Sequence, residues 1–185
     1  ETPSAIKSLS SQFFFFIQAV EDLDLAQVKR LLADGFDPNF MEPEKGPAVS
    51  IRSDGLFKWW EKICDAYEAG QPLSAEQKAQ DLQPHLDILN ALIDAKANFY
   101  LWDAEECYGP LWDAASAACV PVIQKLLDHK VDPNTKDDEG KTILSSISDL
   151  FFDCEFDQID WSQALPEEKE SLELLRSRGA KMSNE

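Results

Sequence analysis

The sequence predicts an all-α fold made of about four stacked helix pairs in one domain covering residues 1–185. Three observations lead there. The stretch Gly109 to Asn134, GPLWDAASAACVPVIQKLLDHKVDPN, carries two apolar stripes at three- and four-residue spacing, the mark of two short amphipathic helices. Its ending recurs, since the segment DGFDPN at 34–39 parallels HKVDPN at 129–134. Neither helix of such a pair can bury its stripe alone, so the unit demands neighbours stacked against it.

Taken in order, residues 1–10 are polar, with Pro3 and several serines, and read as a lead-in whose Ser10 or Ser11 caps the first helix. Phe13 to Val20 form an inner helix, Leu25 to Leu32 an outer one, and Gly35 to Asn39 the closing turn. Four consecutive phenylalanines, Phe13 to Phe16, cannot all face one stripe, so some pack on the lead-in or stay exposed. The second unit opens at Gly46-Pro47-Ala48-Val49 and closes with an outer helix and turn from Leu86 to Ala97, headed by His85. Between them lies an insertion at about 56–83. It holds an amphipathic helix, Leu56 to Ala69, through Leu56, Trp59, Trp60, Ile63 and Tyr67, stopped by Gly70. A capping box at Ser74 starts another. The expectation is a lengthened inner helix followed by a long excursion to the outer one.

In the third unit Leu111, Ala114, Ala115 and Ala118 make a stripe of small residues that lets a neighbouring helix approach closely. Val122, Ile123, Leu126 and Leu127 carry the second helix, with Pro121 in its first turn, and Asp132 to Asn134 close it. The fourth unit runs through Leu144, Ile147 and Leu150 on its inner helix and Leu172 to Gly179 on its outer one. A second insertion, acidic and aromatic, occupies about 152–166. Aligning the closing positions Gly35, Lys96, Lys130 and Gly179 gives steps of 61, 34 and 49 residues, so the units differ in length.

These residues resemble the ankyrin-repeat family. Gly109 to Trp112 stand for its opening turn, Ala114 and Ala115 for its Ala-Ala pair, Leu126 and Leu127 for its second helix, and Asp132 to Asn134 for its closing turn. The segment from Asn134 to Leu144, with Asp138, Gly140 and Thr142, is similar to the family's linker. The sequence departs from the family at Trp112, where His is usual, and at Ala118 and Lys130, where Gly is usual. The resemblance implies a helical solenoid with repeats at about 11–45, 46–108, 109–141 and 142–185, the second and fourth enlarged by insertions.

Composition narrows the function classes. Of 185 residues 44% are hydrophobic, enough for a globular core, and 35 Asp and Glu oppose 17 Lys and Arg for a formal charge of -18. Such charge argues against nucleic acid and anionic membrane surfaces and for a basic partner. No apolar run approaches the roughly 18 residues that span a bilayer. Cys64, Cys107, Cys119 and Cys154 lack paired zinc spacing and read as reduced structural thiols, which favours a cytoplasmic location. The sequence opens on Glu1 rather than Met, which keeps a removed signal peptide, and with it the periplasm, as the alternative.

The two histidines, His85 and His129, fall in separate repeats, which argues against a Cys-His or Ser-His-Asp site. No phosphate-binding glycine loop accompanies a lysine, and the clusters Asp137 to Glu139 and Asp153 to Asp160 lack the ligand spacing of a calcium loop. The expectation is a non-enzyme with no cofactor and no metal. The resemblance places partner contacts on turn tips and inner helices, which here means Phe40, Glu42, Glu44, Tyr100, Trp102, Asp103, Glu105, Glu106, Tyr108, Trp112, Asp137, Asp138 and Glu139, with Trp59 and Trp60 from the first insertion. Aromatic rings offer contact area at small entropic cost, and carboxylates steer a basic protein into place. The short acidic stack is similar to bacterial ankyrin-type immunity proteins that accompany secreted antibacterial toxins. That likeness implies binding and neutralising a basic toxin, and an adaptor or scaffold without inhibitory role is the alternative. The irregular neighbours of the 109–134 unit are where partner choice is expected to reside.

Overall fold

The computed structural model describes residues 3–42, 46–47, 54–99, 109–137 and 139–184. Among these residues the regular structure is eight α-helices. The exceptions are a two-residue antiparallel ladder of Met41–Glu42 on Gly46–Pro47, an isolated bridge between Lys136 and Thr142, and one 3₁₀ turn. The fold class is therefore all-α. No helix among them is long and apolar enough to cross a membrane. The chain divides into two compact units, residues 1–106 and 107–185.

In the first unit α1 (Pro3–Glu21) packs on α2 (Leu25–Ala33), α2 on α4 (Ala75–Asp94), and α4 on α3 (Asp54–Glu68). The lead-in expected before Ser10 is helical instead. Pro3 occupies the first turn, where its missing N–H costs nothing, and no Gly or second Pro interrupts the residues up to Ser11. Of the four phenylalanines Phe13 and Phe16 enter the core, while Phe14 and Phe15 stay exposed, as helical periodicity requires.

The second helix pair corrects the sequence reading. No long excursion separates its members, because α3 and α4 are joined by residues 69–74 alone. Ser74 does form the capping box, its Oγ accepting the Gln77 N–H (3.2 Å) while Gln77 Oε1 accepts the Ser74 N–H (2.9 Å). The helix it starts then continues unbroken into the outer helix, so His85 lies in mid-helix rather than at a head. Pro84 forfeits one backbone bond inside it. The stripe Leu82, Ile88, Leu89 and Leu92, all buried on one face, outweighs that loss of about 3 kcal/mol. The insertion thus lengthens both helices of the pair.

In the second unit α5 (Pro110–Ser116) and α6 (Val120–Asp128) form one pair, α7 (Ile143–Phe152) and α8 (Pro166–Ser177) the next. Inner packs on inner, α5 on α7, and outer on outer, α6 on α8. Leu111, Ala114, Ala115 and Ala118 are all buried, as are Val122, Ile123, Leu126 and Leu127. On α7, Leu144 and Ile147 are core residues but Leu150 is 59% exposed, contrary to its expected place on the inner stripe. The helix has reached its last turn there, beyond the core that the pair encloses. Helix α8 starts earlier than Leu172, at Pro166, with the Glu168 carboxylate accepting the Leu165 N–H (2.9 Å).

Every outer helix ends in the same way. The carbonyls of Leu31, Leu92, Leu126 and Leu175 accept N–H bonds from Phe36, Ala97, Val131 and Ala180, and the next carbonyls accept from Gly35, Lys96, Lys130 and Gly179. Those four residues have positive φ of 93°, 59°, 68° and 93°. A side chain costs about 1–2 kcal/mol in that conformation, so Lys130→Gly is expected to raise stability by roughly 0.5–1 kcal/mol after the entropy of the unfolded glycine is deducted. An upward shift of the urea midpoint checks it. Each DPN ending also braces the following pair. Asn39 donates to the Lys96 carbonyl (3.5 Å) and accepts the Asn98 N–H (2.6 Å), while Asn134 donates to the Gly179 carbonyl (2.9 Å) and accepts the Lys181 N–H (2.9 Å).

Candidate functional site

The expected contact residues divide into three sets. Glu44, Tyr100, Trp102, Asp103, Glu105, Glu106, Tyr108 and Asp138 lie outside the described residues, and Glu42 is placed by its backbone alone, opposite Gly46 in the ladder. Trp59, Trp60 and Trp112 are interior, at 7%, 8% and 4% exposure. This corrects their assignment as contact area, because rings already buried against their own chain have no surface left to offer a partner. The periodicity that puts Trp59 and Trp60 with Leu56 and Ile63 on one face of α3 also puts them in the core, and the Trp59 indole N–H donates to the Lys78 carbonyl (3.3 Å). Phe40 is half-buried, its ring 5.8 Å from Phe13 and 6.4 Å from Phe36, in an aromatic cluster at the end of the first pair.

Asp137 and Glu139 remain, on the turn between Lys136 and Thr142. Asp137 holds that turn together, since its Oδ1 accepts the Lys141 N–H (2.8 Å) and its backbone bonds Lys141 and Gly140. Gly140, at φ 79°, makes the reversal possible. The Glu139 side chain is 73% exposed, and Lys141 is held chiefly by Asp149 (3.0 Å), whose hydrogen bond and charge raise the lysine's pKa. Of the expected carboxylates described here with their side chains, Glu139 is the more exposed, with Lys141 Nζ 4.0 Å from its Oε2.

Sequence reasoning missed a cleft of about 500 Å³ in the first unit, lined by Gln18, Glu21, Lys58, Trp59, Lys62, Asp81 and His85 among others. It exists because α3 and α4 run side by side, with Lys62 paired to Asp81 across them. The i, i+4 spacing of Asp81 and His85 after the Ser74 cap is the signal that reveals it, once α4 is read as continuous. Both His85 ring nitrogens are buried near the Gly55 and Asp81 backbone without reaching full hydrogen-bond geometry. A Cβ on Gly55 would stand 2.8 Å from His85 Nε2, so the imidazole lies against α3 only because that position is glycine. His129 belongs to the other unit.

Burial lowers the His85 pKa below its ordinary 6.5, outweighing the pull of the two nearby backbone groups. The unfolded chain therefore takes up a proton near pH 6.5 while the folded chain resists it, so stability falls as pH drops through 6.5 and levels off below the folded value. Urea midpoints measured between about pH 7.5 and 5.5 are expected to decline for the natural chain and to decline less for His85→Leu. Equal slopes would show that other groups govern the acid sensitivity.

Burial also pushes the Cys119 thiol up to about 12, leaving it protonated and inert. Neither Cys64 nor Cys154 is in a disulfide. Among the described residues no group of three His, Cys, Asp or Glu gathers as a metal site. Compared with known proteins, the chain matches no family model and no curated sequence.

Proposed function

We propose that the chain is an ankyrin-type solenoid of about four helix pairs that binds and neutralises a basic protein, as an immunity protein does with a secreted antibacterial toxin. The observation that carries this reading is charge: 35 acidic against 17 basic side chains, on helix pairs that the DPN asparagines join two by two within each unit. Pairs braced within each unit lose little conformational freedom on association, which leaves more of the contact energy for affinity. Excess carboxylate accelerates encounter with a cationic surface and disfavours anionic competitors.

The test is capture from source lysate followed by an activity assay of what is captured. One basic enzyme, inactivated in proportion to bound chain and released by salt, supports inhibition. Several unrelated partners with their activities intact would point to a scaffold instead. Glu139→Lys is expected to weaken capture and flatten its salt dependence, since that side chain is exposed and has no part in the turn's backbone bonding.

A further inference from the structure

The end of α7 is built differently from the rest of the second unit. Leu150 projects from the helix, and with Phe151 and Phe152 it lines a cleft of about 610 Å³ that Asp149, Asp153 and Asp160 also line. Among the described residues that line it there are three carboxylates and no lysine or arginine. Asp149 is engaged by Lys141 (3.0 Å), and Asp160 accepts the Ser162 N–H (3.0 Å) and hydroxyl (2.7 Å). Asp153 ends the helix in the left-handed conformation, φ 51°, with its N–H bonded to the Asp149 carbonyl (3.0 Å).

The cleft is preformed. The Trp161 ring meets Phe152 at 6.0 Å and Phe156 at 5.5 Å, both nearly edge-on, and Ile159 is buried beneath the loop. Arg176 lies over Phe156 and Lys169 over Trp161, so these two cations sit on the ring ladder, while Lys141 sits on Asp149. An apolar lining beside carboxylates, of which Asp149 is paired with Lys141 while Asp153 and Asp160 are exposed, suits one kind of group: a long apolar stem ending in a cation.

We propose that this cleft docks an arginine side chain, with an apolar neighbour, from the basic protein partner; this rests on the partner reading above. Leu150 and Phe151 take the stem and the neighbour, while the carboxylates receive the guanidinium, whose planar fork can engage two acceptors at once. An acidic or phosphorylated segment is repelled by the same rim. A second copy of this chain, at a formal charge of -18, is a poor occupant for the same reason.

The experiment measures binding of a fluorescent peptide of alternating arginine and leucine to the full chain, by anisotropy at about 0.1 M salt, where charges are screened over roughly 10 Å. A peptide with citrulline in place of arginine keeps the shape and loses the charge. Asp153→Gly and Leu150→Ser are each expected to weaken the arginine peptide about tenfold, and Asp65→Asn, on exposed α3 surface, less than about twofold. Asp153→Gly removes the carboxylate while easing the left-handed backbone, so it keeps the fold. Equal small losses at Asp153 and Asp65 would mean diffuse acidity alone, and the cleft falls while the basic-partner reading stands. If the arginine peptide binds no better than the citrulline one, the basic-partner reading falls too. Self-association abolished by Leu150→Ser would assign the cleft to a second copy and overturn the proposal.

Discussion

Replacing Phe16 by alanine is expected to destabilise the first unit by about 3–5 kcal/mol, a large part of what holds a domain of this size together. Phe16 is 0% exposed, and its ring stacks on Phe36 at 4.5 Å and 25°. Truncation therefore removes both the ring's burial and a partner for Phe36, which sits in the closing turn of the same pair. Helices α1 and α2 cannot close over the void without moving that turn, whose Phe36 N–H is tied to the Leu31 carbonyl (3.0 Å). Phe15→Ala, next door on the same helix, is the control. That ring is 59% exposed, and its loss is expected to lower stability by no more than about 0.5 kcal/mol. Similar effects at both positions in urea denaturation would mean that α1 does not pack through the Phe13 and Phe16 face.

Enlarging Ala114 to leucine is expected to cost about 1–3 kcal/mol, and more if the backbone cannot shift. Ala114, Ala115, Ala117 and Ala118 are all fully buried at the short helix α5, which is pressed against α6 on one side and α7 on another. Small side chains there set the distance between helices, and extra methylenes must force them apart. Ala118 is also the left-handed residue, φ 44°, through which the chain turns into α6: its N–H reaches the Ala115 carbonyl (3.0 Å) and the Cys119 N–H reaches the Ala114 carbonyl (2.8 Å). Crowding at 114 thus disturbs the turn as well as the packing. Chemical denaturation followed by tryptophan fluorescence measures this, with Trp112 buried in the same helix as the reporter. Unchanged stability would show that the stripe is not tightly packed.

Helix pairing and its rhythm were legible in the sequence because they rest on local chemistry. The spacing of Leu111, Ala114 and Ala115 and of Val122, Ile123, Leu126 and Leu127 marks the faces that are buried. The aligned positions Gly35, Lys96, Lys130 and Gly179 share one left-handed turn, although two of them are lysines, because the Schellman bonds around them outweigh the side-chain strain. The candidate site was less legible. Periodicity assigns Trp59, Trp60 and Trp112 to a helix face, but it does not say whether that face meets solvent or another helix. Leu150 shows the reverse case, falling on the inner stripe by spacing and outside the core in fact.

What the sequence alone determined is therefore the all-α class, the helix faces and the closing turns, each a matter of a few neighbouring residues. The tertiary structure alone decided three things: that α4 runs through Pro84, that Gly55 makes room for His85, and that the end of α7 opens into an acid-rimmed aromatic cleft. The physical reason is common to all three. Each depends on the balance between a local cost, such as a lost hydrogen bond, a missing Cβ or an exposed leucine, and contacts made by residues distant in the chain, and only the packed structure brings both sides of that balance together.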